Sequence, residues 1–294
     1  MGQLEHPNIV PIHDVGVDDL GRHYFMMKYV EGETLTDIVQ RLKDGDRATH
    51  AQYGFEERVR IFRGVVEAVE FAHDRGILHR DLKPANIMMG KHGEVMVLDW
   101  GLARPLDPNE PEPAHDEQRL PVSGSDRMSD TRRGQVLGTP AYMSPEQARG
   151  EPLDARSDVY ALCVILHELV GLEHYLGGVT SSAEAIKGVQ EIEPKLLRLP
   201  RNPAQGQVPM DLLWYVHAGL HKDREQRYPS VRAMLHRLDE RAEGRIPIQC
   251  HVTFTQRVLS EMTRVAVRHP MAALGGYALA LVAIVVAVVL GVGG

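Results

Sequence analysis

Apolar residues recur at helical spacing along two long stretches of this chain. Over residues 54–75, Val59, Phe62, Val65, Val66, Val69 and Ala72 fall on one face of a 3.6-residue repeat, which predicts an amphipathic helix. Over residues 158–172, Val159, Ala161, Leu162, Ile165, Leu166, Leu169 and Val170 cover most of the circumference, which predicts a helix buried on nearly every side. Shorter helices are predicted behind a Thr34 cap to about residue 42 and at about 181–191, 209–221 and 229–242. Two β-like runs, about 9–17 and 22–30, flank the turn-prone Asp18-Asp19-Leu20-Gly21 and predict a hairpin. A second hairpin pairs 87–89 with 95–98 around Gly90-Lys91-His92-Gly93. Residues 104–136 are rich in Pro, Asp, Glu, Ser and Gly without an apolar period, and predict a mobile loop.

The C-terminus breaks this pattern. Residues 271–292 contain no charged side chain and no polar face, and at about 1.5 Å per residue they reach roughly 33 Å, enough for a hydrocarbon core of about 30 Å. A single transmembrane helix over 270–292 is therefore expected. Arg257, Arg264, Arg268 and His269 precede it, and the positive-inside rule puts the preceding domain in the cytoplasm. Residues 243–269 then form a basic juxtamembrane linker. The first residues lack the basic and apolar regions of a signal peptide.

Composition adds boundaries. Hydrophobic residues make up 43% of the 294 and charged ones 25%, which suits a globular core. The formal net charge of -7, with Lys and Arg dispersed, argues against a nucleic-acid partner. Cys163 and Cys250 are the only cysteines, too few for a disulfide framework or a four-cysteine zinc site.

The chemistry concentrates in His79-Arg80-Asp81-Leu82-Lys83-Pro84-Ala85-Asn86, which sets a carboxylate, an amine and an amide a few residues apart. Asp99-Trp100-Gly101 follows, then Gly138-Thr139-Pro140 leading into Ser144-Pro145-Glu146, then Ser157-Asp158 and Arg227. In this order the segments resemble the catalytic loop, metal motif and later elements of protein kinases. The resemblance implies an α+β, two-lobed fold: a remnant of the N-lobe at 1–30, a mostly helical C-lobe at 31–242, then the linker and the membrane helix. Lys83 two positions after Asp81, and Thr139, resemble serine/threonine kinases. The phrases HPNIVPIHDVG, HRDLKPANI and GTPAYMSPEQARG, with one span after the domain, are similar to the bacterial membrane-anchored (Hanks-type) branch.

Residue roles are carried over from that resemblance. Asp81 would accept the proton of a substrate hydroxyl, Lys83 would place its ammonium beside the transferred phosphoryl, and Asn86 and Asp99 would hold magnesium. Met27 is the gatekeeper, Lys28 and Val30 offer backbone groups to the adenine of ATP, and Met88 forms the floor beneath it. Glu146 and Arg227 form a buried ion pair, and Asp158 braces the catalytic loop. Ser129 or Thr131 would be autophosphorylated. Partners are a protein bearing the accepting Ser or Thr, ATP with magnesium, the bilayer and, as an open alternative, a second copy of the chain.

The resemblance starts past the family's glycine-rich loop, phosphate-binding lysine and helix glutamate, and no substitute for them is found among the residues before the catalytic loop. The chain is accordingly expected to lack the first part of the N-lobe, leaving its opening hairpin with an uncovered edge. Two readings stay open: a membrane-anchored serine/threonine kinase, and a catalytically impaired kinase-like binding module. A small-molecule phosphotransferase is disfavoured by the protein-platform likeness of residues 138–146.

Overall fold

A computed structural model describes residues 4–17, 23–100, 104–105, 139–179, 181–194, 203–245 and seven positions between 253 and 263. The chain divides into two units, residues 1–237 and 238–294. The first opens with an antiparallel hairpin, β1 (Ile12–Val17) and β2 (His23–Met27), as the two β-like runs predict. β1 starts later than the apolar run, because Ile9 and Val10 are taken by another strand.

β3 (Gly32–Thr34) leads directly into α1 (Leu35–Lys43), where Thr34 and Asp37 form a reciprocal capping box. α2 (Arg47–Gln52) follows, capped by Asp46, then α3 (Phe55–His73), with Glu56 and Glu57 in its first turn and His73 in its last, the arrangement a helix dipole favours. β4 (Ile77–Leu78), a short 3-10 turn over Pro84–Asn86, β5 (Ile87–Gly90) and β6 (Val95–Val97) come next. β3, β5 and β6 form one antiparallel sheet in that order. Gly32 is required in it, since a Cβ there would lie 1.9 Å from Met89 O.

The segment containing Asn8 is pinned to this sheet. Val97 N–H donates to Asn8 O (2.8 Å), Val10 N–H to Val97 O (3.2 Å) and Asn8 Nδ2 to Val95 O (2.8 Å), while Ile9 and Val10 are buried. The loop expected from residue 104 begins instead as a two-residue strand, β7 (Arg104–Pro105), paired with β4. The rest of that loop, with Ser129 and Thr131, lies outside the described residues.

The helices after it are α4 (Pro145–Arg149), α5 (Ala155–Gly171), α6 (Ser182–Glu191), α7 (Met210–Gly219) and α8 (Val231–Ala242). α5 is buried continuously from Ser157 to Gly171, and α3 and α7 pack on it. Cys163 meets α7 where Gly219 leaves room, because a Cβ on Gly219 would fall 2.1 Å from the Cys163 sulfur. Of the second unit, the described positions between 253 and 263 are helical, and Val258, Leu259 and Met262 are exposed. Residues 264–294, and with them the expected membrane helix, lie outside the described residues. Among the described residues no helix is long and apolar enough to cross a membrane.

Glu146 and Arg227 form a two-point ion pair (2.7 and 2.8 Å) with both side chains at 1% exposure or less. Ser157 Oγ donates to the carboxylate, and the guanidinium also reaches the carbonyls of Arg156, His221 and Lys222. Burial would raise the Glu146 pKa, but the Arg227 hydrogen bonds and charge outweigh it and hold the carboxyl below its usual range. Arg227→Met strands that carboxylate and should cost about 3–5 kcal/mol in urea unfolding, whereas the pair Glu146→Leu with Arg227→Met should recover most of the loss.

Lys222 supports the same region by donating to Val189 O at the end of α6 (2.7 Å) and to Tyr160 OH (3.1 Å). Burial pushes its ammonium down to about 8. Between that value and the unfolded lysine range the unfolded chain binds the extra proton, so stability rises with pH. Relative to Lys222→Met, the wild-type chain should gain stability between pH 8 and 10 in denaturant titrations; a flat difference would contradict the burial.

Candidate active site

Three structural features bring the motif residues together. The 3-10 turn carries Asn86 back under Asp81, so that Asn86 Nδ2 donates to Asp81 O (3.0 Å) and approaches Asp81 Oδ2 (3.4 Å). Lys83 Nζ donates to that same Oδ2 (2.7 Å). Asp81 Oδ1 has no hydrogen bond among the described residues and is free to accept one from an incoming hydroxyl. Across the β5–β6 hairpin, Leu98 N–H donates to Asn86 O (2.8 Å), which sets Asp99 beside Asn86 at the same end of the sheet. Asp81 and Asp99 both act electrostatically on the one buried ring of His79.

His79 is the hub beneath them. Its ring Nε2 contacts Leu98 O (3.2 Å), its Nδ1 accepts from Asp81 N–H (3.3 Å), and Trp100 packs on it with centroids 4.5 Å apart. Burial lowers its pKa despite the surrounding carboxylates, which keeps the ring neutral at physiological pH. Trp100 is buried and donates its indole N–H to Val97 O (3.4 Å). Asp99 itself has φ +57°, a left-handed conformation uncommon for a non-glycine residue. Gly101 lies outside the described residues.

Asp158, in the first turn of α5, holds the loop from below. Its Oδ2 accepts from His79 N–H (2.9 Å) and contacts His73 Nε2 (2.8 Å), and its Oδ1 accepts from Arg80 N–H (3.0 Å). Burial would raise its pKa, yet the His73 hydrogen bond, the two histidines and the backbone amide outweigh it and leave the carboxyl below its usual range. Nothing in the sequence spacing points to His73, which sits 85 residues from its partner.

The donor set suits magnesium. With its Nδ2 spent on Asp81, Asn86 is left with Oδ1 as an acceptor, and the half-buried Asp99 carboxylate has no hydrogen bond among the described residues. Both are hard oxygen ligands, of the kind and small number magnesium takes. The residues expected to face a nucleotide are spread more loosely. Met27 ends β2 and is 39% exposed; Lys28 gives its N–H to Pro11 O (3.0 Å), which leaves its carbonyl for a ligand. Val30 lies two residues before β3, and Met88 sits opposite Thr34 on β5, on the less buried face of a strand whose Ile87 and Met89 point into the core.

Sequence comparison decides the family. The model of the protein kinase domain matches residues 1–238. The chain belongs to the protein kinase domain family. It is 34% identical over 248 residues to serine/threonine-protein kinase PknD of Protochlamydia amoebophila, covering 83% of the chain and 24% of that relative. To serine/threonine-protein kinase PknB of Mycolicibacterium smegmatis it is 35% identical over 247 residues, covering 83% of the chain and 35% of the relative. The probable serine/threonine-protein kinase PknB of Lactococcus lactis is 33% identical over 235 residues, covering 80% and 32%. The chain thus spans about a quarter to a third of the length of these kinases.

In this kinase domain the turn that precedes α4 is also tied down. Glu168 on α5 accepts from Tyr142 OH (2.5 Å) and Lys43 Nζ (2.7 Å), joining the 3-10 turn Thr139–Tyr142 and α1 to the buried helix. Asp158→Asn places an amide donor against a backbone N–H and should cost about 1–3 kcal/mol at pH 7. Because the folded carboxyl is held low, its contribution is present above about pH 4 and lost as pH falls through the folded value, so the gap to the variant should narrow as acid unfolding is followed below about pH 4.

Proposed function

We propose that this chain is the kinase portion of a membrane-anchored serine/threonine protein kinase that transfers the γ-phosphate of ATP to protein hydroxyls. The carrying observation is the convergence of Asp81, Lys83 and Asn86, with the carboxylate gripped through one oxygen and its other oxygen open. That open Oδ1 accepts the proton of the substrate hydroxyl and orients its oxygen for attack. Lys83, held against the same carboxylate, keeps a positive charge beside the phosphoryl being transferred. Magnesium, held by Asn86 and Asp99, would supply neutralisation of the nucleotide's phosphate charge. Met27, Lys28 and Val30 line the adenine edge, with Met88 beneath the ring. Lys83 two positions after Asp81, and the names carried by the three relatives, support serine or threonine as the acceptor.

Membrane anchoring rests on the charge-free run 271–292 and the basic residues before it, which also set the kinase domain on the cytoplasmic side. A single pass belongs to the same reading.

Incorporation of phosphate from ATP into a generic protein tests the chemistry. Asp81→Asn and Asp99→Asn should each lower it by at least about a hundredfold; equal incorporation by all three proteins would end the catalytic assignment and favour the binding module. For the anchor, the full chain should stay in the membrane pellet at alkaline pH. Leu281→Arg combined with Ile284→Arg should release it, since each charge costs about 3 kcal/mol near the centre of a span.

A further inference from the structure

Arg80 is held in a backbone conformation that a side chain disfavours, with φ +69°. Such a residue persists only where its surroundings grip both of its peptide groups. Asp158 grips one, the N–H. The other, the carbonyl, accepts from Gln147 Nε2 at 2.8 Å.

Gln147 is committed at both ends of its amide. It is the third residue of α4, where Ser144 is the cap: Ser144 N–H donates to Gln147 Oε1 (2.9 Å), and Gln147 N–H donates to Ser144 Oγ (3.3 Å). The oxygen therefore belongs to the segment that starts α4, and the nitrogen belongs to the catalytic loop 67 residues earlier. A primary amide can make both contacts at once because it carries an acceptor and a donor on one planar group. A carboxylate of the same shape can make only the first.

We propose that Gln147 is a positioning residue for phosphoryl transfer: its amide locks the Arg80 carbonyl, so the turn that aims Asp81 is set only while the segment through Ser144 is seated. The inference rests on the kinase reading for its catalytic consequence and on the hydrogen bonds alone for its structural one. Asp81 follows Arg80 directly, so a rotation of the Arg80–Asp81 peptide swings the carboxylate away from Lys83 and Asn86. Glu168, through Tyr142, seats the same segment from the other side.

Gln147→Glu separates the two contacts. A glutamate keeps the capping box, which accepts either residue, but faces the Arg80 carbonyl with an oxygen. In the full chain in detergent, hydrogen exchange should show the Arg80 and Asp81 amides exchanging about tenfold faster, with the α4 amides Ala148 and Gly150 unchanged. In the transfer assay kcat should fall about tenfold with KM for the protein substrate within about twofold, the mark of lost orientation. Gln147→Met, which loses both contacts, should additionally loosen α4. Wild-type exchange at Arg80 and Asp81 in the glutamate variant would overturn the proposal, as would equal loosening of α4, which would make Gln147 a helix cap and nothing more. If the wild-type chain transfers no phosphate, the kinase reading fails, and the exchange result still decides the role of Gln147.

Discussion

Asp158 is a carboxylate at 2% exposure that receives two backbone N–H groups and a histidine ring. Burying a charge this deeply costs several kcal/mol unless every lone pair finds a donor, so the side chain dictates where those donors must be. The donors are consecutive amides of the catalytic loop, His79 and Arg80. The loop is thus shaped from beneath by a helix that makes no contact with the chemistry itself. α5 can play this part because it is buried along its whole length after the first turn and has no freedom to shift without opening the core. The same helix supplies Ser157 to the Glu146–Arg227 pair and Glu168 to Tyr142, so the loop and the segment facing it are referred to one rigid axis.

The charge pattern around that axis follows from burial. His79, His167 and His174 are all pushed down in pKa by loss of water, the last two to about 4, which leaves neutral rings packed among carboxylates that stay ionised. The acids hold their charge because each has a specific partner: Arg227 for Glu146, Lys43 for Glu168, and His73 with the amides for Asp158. A neutral His79 suits its place. As a hydrogen-bonding wedge between Leu98 O and the Asp81 amide it fixes the spacing of the two acidic residues without adding a cation where magnesium would sit.

The long helices were legible because a 3.6-residue apolar period needs no knowledge of what lies opposite. The α5 pattern, apolar on most sides, even announced its depth. The catalytic-loop residues were legible as motifs, and the fold brings Asp81, Lys83 and Asn86 into contact. What could not be read was long-range. α2 is six residues without an apolar face, too short and polar to show a period. β4 and β7 are two residues each, too short to carry a period, and their pairing turned the start of a presumed loop into a strand. Asn8 reaching Val95 and His73 reaching Asp158 join positions more than eighty residues apart, and no local rule relates them. The reach of Gln147 to the Arg80 carbonyl is of the same long-range kind.

Rigidity is distributed unevenly between the two halves of the site. Asp81, Lys83 and Asn86 stand on a turn locked by α5 and by the β3–β5–β6 sheet, which packs on α3. Met27 and Lys28 stand at the end of a two-stranded hairpin whose Val15, Val17, Tyr24 and Met26 are exposed, an arrangement that by itself is marginal in water. The hairpin is held chiefly through residues 8–11, pinned to β6 and to Lys28. The division suits the tasks of the proposed kinase reaction. Orienting a hydroxyl against a phosphorus tolerates little displacement, because a shift of about 1 Å can cost a hundredfold in rate. Gripping an adenine through backbone groups, the task proposed for the hairpin end, tolerates more.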